Sequence, residues 1–171
     1  RRFLHSITVG LWIGLGVLSA HAGTSAPSRI VSINLCADEL LIALADPEQI
    51  AALSPYAVDP TLSFMAQKAA GFRHDAAGAE TVVDIAPDLV LAGRFTKLAT
   101  RALLTSLGYR VVPVDAARSI DQSIEQIREI AELVGHPERG EVLIADIERA
   151  REKARNAGAK RAAKTAAVYQ R

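Results

Sequence analysis

Five side chains that could hold a small molecule follow directly on short apolar segments of this sequence. They are an amide, a thiol, a phenol, a guanidinium and a phenyl ring: Asn34, Cys36, Tyr56, Arg94 and Phe95. A guanidinium can hold a carboxylate or a phosphate through its forked donors, and aromatic faces pack against large apolar groups. These residue types together predict a binding site for a large ligand that carries both apolar and polar groups.

Each of these residues also has an ordinary structural interpretation. Arg94 could form a surface ion pair, and Tyr56 and Phe95 could pack in the core or at its rim. Asn34 could cap the helix that follows it, which we slightly favour over ligand contact. For Cys36 we favour a small buried residue over a nucleophile, because no histidine lies near it in the sequence to activate a thiolate.

Other polar residues indicate chemistry less strongly. Asp38 and Glu39 are adjacent on a predicted helix, where their side chains point about 100° apart and cannot converge on one atom, so we interpret them as helix N-terminal charges. His74 and His136 are far apart and are interpreted as a loop histidine and a structural histidine. The sequence contains neither G-x-S-x-G nor a glycine-rich phosphate loop. We therefore assign no catalytic residue, no metal ligand and no cofactor.

The segments that would position the five candidates alternate between short apolar runs and helix-length amphipathic runs. Helices are predicted at 37–45 and 97–107, and strands at four segments: 29–33, 50–53, 89–92 and 109–114. This alternation is typical of a Rossmann-like α/β fold with a parallel sheet. Because the carboxyl ends of parallel strands share one edge of a sheet, the residues that follow these strands are expected to lie along that edge.

The last third of the chain is predicted to be helical. Ser119 and Gln122 form a capping-box pattern at the start of a helix over 119–135, which carries one apolar stripe. A longer helix is predicted over 138–157, with three acid–arginine pairs at i,i+3 spacing: Asp146/Arg149, Glu148/Arg151 and Glu152/Arg155.

The first 22 residues have the pattern of an export signal. They comprise two arginines, an apolar run over 7–18 and a small-x-small site that predicts cleavage after Ala22. The apolar run is shorter than the ~20 residues that a membrane-spanning helix needs. Without Arg1 and Arg2, 18 basic residues face 19 acidic ones, so no nucleic-acid partner is indicated. We expect an exported, periplasmic protein.

The sequence resembles the periplasmic solute-binding proteins that capture cobalamin and ferric siderophores for ABC importers. The resemblance covers nearly all of the chain beyond the export signal. Its strongest elements are the strand–helix opening RIVSINLCADELLIAL and the segment IAPDLVLAG, with its proline–aspartate entry into a strand.

The resemblance implies two α/β lobes joined by a long helix, with the ligand in the cleft between them. Residues 29–115 would form the first lobe, 138–157 the inter-lobe helix, and 166–171 the start of a truncated second lobe. It also implies that the inter-lobe helix exposes Leu143 and Ile147 where a second lobe would pack.

The same resemblance implies a function in transport. The protein would be a monomer that binds a ferric siderophore, cobalamin or haem and delivers it to a membrane permease, without catalysis. The alternative from another class is a secreted α/β hydrolase-type enzyme that uses Cys36 or a serine as its nucleophile.

Overall fold

The computed structural model describes residues 25–94 and 98–159, together with the single positions 165, 167 and 169. Its strands and α-helices run in the order β1 (Ile30–Ser32), α1 (Leu35–Leu44), β2 (Ile50–Ala52), α2 (Ala66–Ala69), α3 (Ala79–Ile85), β3 (Leu89–Gly93), α4 (Leu98–Ser106), β4 (Val111–Val114), α5 (Ile120–Val134) and α6 (Pro137–Gly158). The 3-10 turns Pro47–Gln49 and Pro55–Val58 flank β2. The predicted export signal, Phe95 and most of 166–171 lie outside the described residues.

The strands form one sheet in the order β2-β1-β3-β4, and every neighbouring pair is parallel. Strand β3 is central and all five of its residues are buried, as expected for a parallel sheet that is covered on both faces. The α/β fold with a parallel sheet is therefore confirmed, and all four strands form where the apolar runs predicted them.

Successive residues of β3 enter two different cores, because side chains alternate across a strand. Leu89 and Leu91 pack with the buried faces of α1, α5 and α6 on one side of the sheet. Val90 and Ala92 pack with Val82 of α3 and other residues of α3 and α4 on the other side. The helices thus form two layers, one on each face of the sheet.

Helices α5 and α6 approach each other very closely. Gly140 of α6 is buried against α5, and a Cβ atom added to it would lie 2.6 Å from the Cβ of Ala131. Gly135 ends α5 with a φ of +88°, a left-handed conformation that glycine adopts without a side-chain clash. The turn between the two helices therefore brings α6 directly back onto α5.

The surface of α6 agrees with the sequence in its charges and differs in its apolar stripe. Arg149, Arg151 and Arg155 form the three predicted i,i+3 ion pairs with acidic residues of the same helix. The expectation that Leu143 and Ile147 are exposed is wrong, because both are half-buried against the core of α1 and α5. Within the described residues, none of the helices combines the length and hydrophobicity needed to cross a membrane.

Candidate ligand-binding site

The four parallel strands end at one edge of the sheet, which we call the carboxyl edge. Asn34 lies two residues beyond β1 and Ser54 two residues beyond β2, while Arg94 and Asp115 directly follow β3 and β4. Ligands of open α/β sheets bind outside this edge, because loops and helix N-termini meet there. The structure therefore places the strand-end candidates on one side of the molecule.

Arg94 and Asp115 join the ends of β3 and β4 through a forked ion pair. The Arg94 Nε lies 2.9 Å from both carboxylate oxygens, and an Nη lies 2.6 Å from the Asp115 Oδ2. The hydrogen bonds and negative charge of Asp115 raise the pKa of the Arg94 guanidinium. Because 69% of the Arg94 side chain is exposed, the ion pair is in contact with water, and the guanidinium remains accessible to a further anion.

An open hollow of about 470 Å³ lies beside this ion pair. Its lining is mostly polar and comes from the ends of β3 and β4, the turn before α5 and the first three turns of α5: Arg94, Asp115, Ala116, Ala117, Arg118, Gln122, Glu125, Gln126 and Glu129. Gln126 fixes one wall by donating from Nε2 to the Asp115 carbonyl oxygen at 2.8 Å. This part of the carboxyl edge suits polar and charged groups of a ligand.

Asn34 caps α1, as favoured from the sequence. Its Oδ1 accepts a hydrogen bond from the Ala37 N–H at 3.1 Å, while its backbone is extended. The cap uses only the oxygen of the half-buried side chain. The amide nitrogen of Asn34 therefore stays available for donation at the carboxyl edge.

Cys36 is exposed in the first turn of α1, so the favoured interpretation of a buried cysteine is wrong. Desolvation by the surrounding protein and the negative charge of Glu39 raise the pKa of its thiol. A raised pKa disfavours the thiolate that a nucleophile requires. Cys36 can therefore contact a ligand as a neutral thiol.

Tyr56 lies in the 3-10 turn Pro55–Val58, just beyond the end of β2, and 58% of it is exposed. The sequence left open whether it packs in the core, and the structure shows that it does not. Its ring is free to contact a ligand. Phe95, the second aromatic candidate, lies outside the described residues.

Asp38 is a buried residue of this region whose environment the sequence analysis did not predict. Its carboxylate accepts hydrogen bonds from the backbone N–H of Ser54 at 3.1 Å and from the Ser54 hydroxyl at 2.5 Å. Burial raises the pKa of Asp38 to about 6, against the opposing effect of these hydrogen bonds. A signal was present, because Asp38 shares the helical stripe of Leu41 and Ala45, which are buried.

Glu39 points in another direction from the same helix. Its Oε1 accepts from the backbone N–H of Phe64 at 2.8 Å and from the Ser63 hydroxyl at 3.4 Å. No local pattern in the sequence connects Glu39 to a residue 25 positions away. Both carboxylates thus hold the polar segment between β2 and α2 rather than acting only as helix N-terminal charges.

The two histidines of the described chain have the structural roles that we expected. The Nδ1 of His74 lies 2.8 Å from the Phe72 carbonyl oxygen in an exposed loop. The Nε2 of His136 lies 3.0 Å from an oxygen of Asp46, between α5 and α6. Among the residues that the structure describes, no three His, Cys, Asp or Glu side chains come close enough to hold a metal ion.

A parallel α/β sheet whose carboxyl edge carries an open guanidinium, an exposed phenol and a polar hollow is typical of a ligand-binding lobe. The chain belongs to the periplasmic binding protein family, which matches it over residues 30–171. The family places it among proteins that work in the periplasm or outside the cell. The relatives described below carry the names of binding proteins and not of enzymes, which favours binding over the hydrolase alternative.

Two groups of relatives carry names that state a ligand. A protein of Halobacterium salinarum named cobalamin-binding protein is 30% identical over 112 residues, which is 66% of this chain and 30% of that protein. Among solved structures, the heme-binding protein RhuT of Roseiflexus is 26% identical with a TM-score of 0.60, over 75% of this chain and 49% of that one.

A further solved structure supports the fold. The vitamin B12-binding protein BtuF of Vibrio cholerae is 20% identical with a TM-score of 0.62, over 78% of this chain and 52% of BtuF. This chain therefore spans about half the length of the solved proteins that it matches.

Proposed function

We propose that this chain is the first lobe of the substrate-binding component of an ABC importer that captures a metal chelate. The observation that carries the proposal is the carboxyl edge itself, where Tyr56, Asn34 and Arg94 follow the ends of three neighbouring strands, β2, β1 and β3, in a chain of the periplasmic binding protein family. Haem, cobalamin and ferric siderophores are all large chelates with apolar and polar parts, and such a mixed surface suits them.

Each candidate residue has a separate role in this proposal. Arg94 binds an anionic or carbonyl substituent of the chelate, while its Asp115 partner keeps the guanidinium in place. Tyr56 and Phe95 provide aromatic faces, Asn34 donates from its amide, and Cys36 contacts the ligand as a neutral thiol.

The proposed mechanism is capture without a chemical step. Residues 29–115 form the first lobe, a second lobe closes the cleft from the other side, and α6 is the helix that connects them. A continuous helix bends little, because bending breaks backbone hydrogen bonds. The full-length protein should therefore give similar solution scattering profiles with and without ligand, and a large compaction would contradict this mechanism.

We further propose that the protein is exported, cleaved after Ala22 and active as a periplasmic monomer that delivers its ligand to the permease. Mass spectrometry of the exported protein should find an N-terminus at Gly23. A retained leader in the periplasmic fraction would contradict the cleavage site. Light scattering of the same sample tests the monomer.

The function is tested by calorimetric titration of the full-length protein with haemin, cyanocobalamin and a set of ferric siderophores. Binding of one of them with one-to-one stoichiometry would support the proposal and identify the ligand. Failure of every chelate in the set to bind would reject capture of these chelates.

A further inference from the structure

The segment 54–64 is tied to α1 at both of its ends. At its start, the buried carboxylate of Asp38 accepts from both the N–H and the hydroxyl of Ser54. At its end, the carboxylate of Glu39 accepts from the N–H of Phe64 at 2.8 Å. Two adjacent residues of one helix therefore hold two points that are ten residues apart.

The geometry of an α-helix explains why adjacent carboxylates can do this. Consecutive side chains point about 100° apart, so Asp38 is directed into the core and Glu39 along the flank of the helix. The two acids cannot act on one atom, but they can hold two ends of a loop.

The backbone between these two points is also fixed. The Asp59 carboxylate accepts from the N–H and the hydroxyl of Thr61 at 2.8 and 2.6 Å. The Ser63 N–H donates to the Asp59 carbonyl oxygen at 2.8 Å, and Ala57, within the segment, is fully buried. The segment is therefore a rigid loop, whose outward side chains have defined positions.

Those outward side chains are large and apolar. Tyr56, Leu62 and Phe64 are 58%, 54% and 94% exposed, all within nine residues. Asp38 and Glu39 lie in the first two turns of α1, which starts at the carboxyl edge, so the loop that they hold lies beside that edge. A cluster of exposed apolar side chains on a fixed backbone is typical of a binding surface.

We propose that Phe64 is a further ligand contact, and that Asp38 and Glu39 are positioning residues that hold Phe64 and Tyr56 against the flat ring of the chelate. This inference rests on the proposed function and adds to it the residues that recognise an apolar macrocycle. The Arg94 half of the carboxyl edge then contacts the polar periphery of the same ligand.

The contact is tested in the full-length protein by titrating haemin and cyanocobalamin into Phe64→Ala. We expect an affinity about tenfold weaker for the chelate that the wild type binds, and near wild-type affinity for Phe64→Tyr, which keeps the aromatic face. Leu107→Ala is the matched control, because Leu107 is 55% exposed but follows the C-terminal end of α4, away from the carboxyl edge. This control should bind as the wild type does.

The positioning role is tested by a double-mutant cycle with Glu39→Ala and Phe64→Ala. Glu39→Ala alone should weaken binding about fivefold and speed hydrogen exchange of the Phe64 amide. In the Phe64→Ala background the same change should have little further effect on affinity, because the residue that Glu39 holds is gone. Equal losses in both backgrounds would show that Glu39 does not act through Phe64.

The outcomes separate this inference from the proposed function. If the wild type binds a chelate and Phe64→Ala binds it equally well, the aromatic contact is rejected while chelate capture stands. If Phe64→Ala binds normally but transport through the permease fails, the loop contacts the permease and the ligand role is again rejected. If the wild type binds a ferric siderophore but neither haemin nor cyanocobalamin, the contact with a flat ring is rejected while chelate capture stands. If the wild type binds none of these chelates, both proposals are rejected.

Discussion

The two halves of the carboxyl edge differ in whether their charged side chains are exposed or buried. Beside β3 and β4, the charges of Arg94 and Asp115 are exposed next to a polar hollow. Beside β1 and β2, the carboxylate of Asp38 is buried, and the large exposed side chains are Tyr56, Leu62 and Phe64. One edge thus offers a polar surface and an apolar surface side by side, as a chelate with a flat apolar ring and polar substituents requires.

The difference also determines how each half contributes to stability. An exposed ion pair is screened by water and adds little to the free energy of unfolding. A buried carboxylate is stabilised by its hydrogen bonds, and its removal leaves the buried donor groups without an acceptor. We therefore expect changes at Asp38 and Ser54 to affect folding, and changes at Arg94 to affect binding.

The largest expected effect is a pH dependence of stability that comes from Asp38. The folded protein keeps a proton on Asp38 up to about pH 6, whereas the unfolded chain loses it near the ordinary value of 3.8. The folded state therefore gains stability as the pH falls through 6, by up to about 3 kcal/mol once the pH is below 3.8, and loses that gain as the pH rises through 6. Denaturant unfolding of wild type and Asp38→Asn across this range should show the difference.

Asp59 lies on the segment 54–64 that Asp38 holds, and it provides a control whose effect on stability changes with pH in the opposite direction. Hydrogen bonds from the Thr61 hydroxyl and N–H lower the pKa of Asp59, so its stabilising effect is present above pH 4 and is lost as the pH falls further. The stability of the wild type relative to Asp59→Asn should therefore decrease towards low pH. An Asp38→Asn profile parallel to that of the wild type would contradict the buried carboxylate.

The next effect compares two serines that donate to carboxylates. Ser54→Ala removes the buried hydrogen bond to Asp38 and should lower the free energy of unfolding by about 2 kcal/mol at pH 7. Ser28→Ala removes an exposed hydrogen bond of 2.9 Å to Asp88 and should change it by no more than about 0.5 kcal/mol. Equal changes would show that burial does not decide how much such a hydrogen bond stabilises the fold.

Arg94→Ala should weaken binding of the preferred chelate about tenfold, because it removes a charge-assisted hydrogen bond to a polar substituent. Arg94→Lys should restore only part of this affinity, since lysine lacks the forked donors. Arg128→Ala is the control, because Arg128 also forms an exposed ion pair, with Glu141 on the helices and away from the carboxyl edge. Titration calorimetry of the three variants measures the effect, and unchanged affinity in Arg94→Ala would contradict its role.

The smallest expected effect is on thermal stability at the polar half. Asp115→Ala breaks the exposed pair with Arg94 and should shift Tm by less than about 3 °C. A larger shift, measured by circular dichroism, would mean that this pair stabilises the fold as the buried half does.

The sequence predicted the elements of the fold better than their contacts. The strands and long helices follow from local periodicity, and the strand ends that carry Asn34 and Arg94 follow from the strands. The loop held by Asp38 and Glu39 could not be predicted, because it depends on pairing with residues 16 and 25 positions away. The burial of Leu143 and Ile147 was missed for a similar reason, since an apolar helical stripe does not reveal which neighbour covers it.

The close packing of α6 holds this helix at its N-terminal end only. Its first three turns are clamped: Gly140 and Ile144 are buried, and Arg139 donates to the Leu44 carbonyl oxygen at 3.0 Å. From residue 148 to 158 its side chains, apart from Arg151, are exposed. Arg151 forms an ion pair with Asp121 of α5, so about 11 Å of helix, from residue 152 to 158, extends beyond the last contact of α6 with α5. A helix held at one end is displaced most at its free end, so the small bending that a continuous helix allows is largest near Gly158.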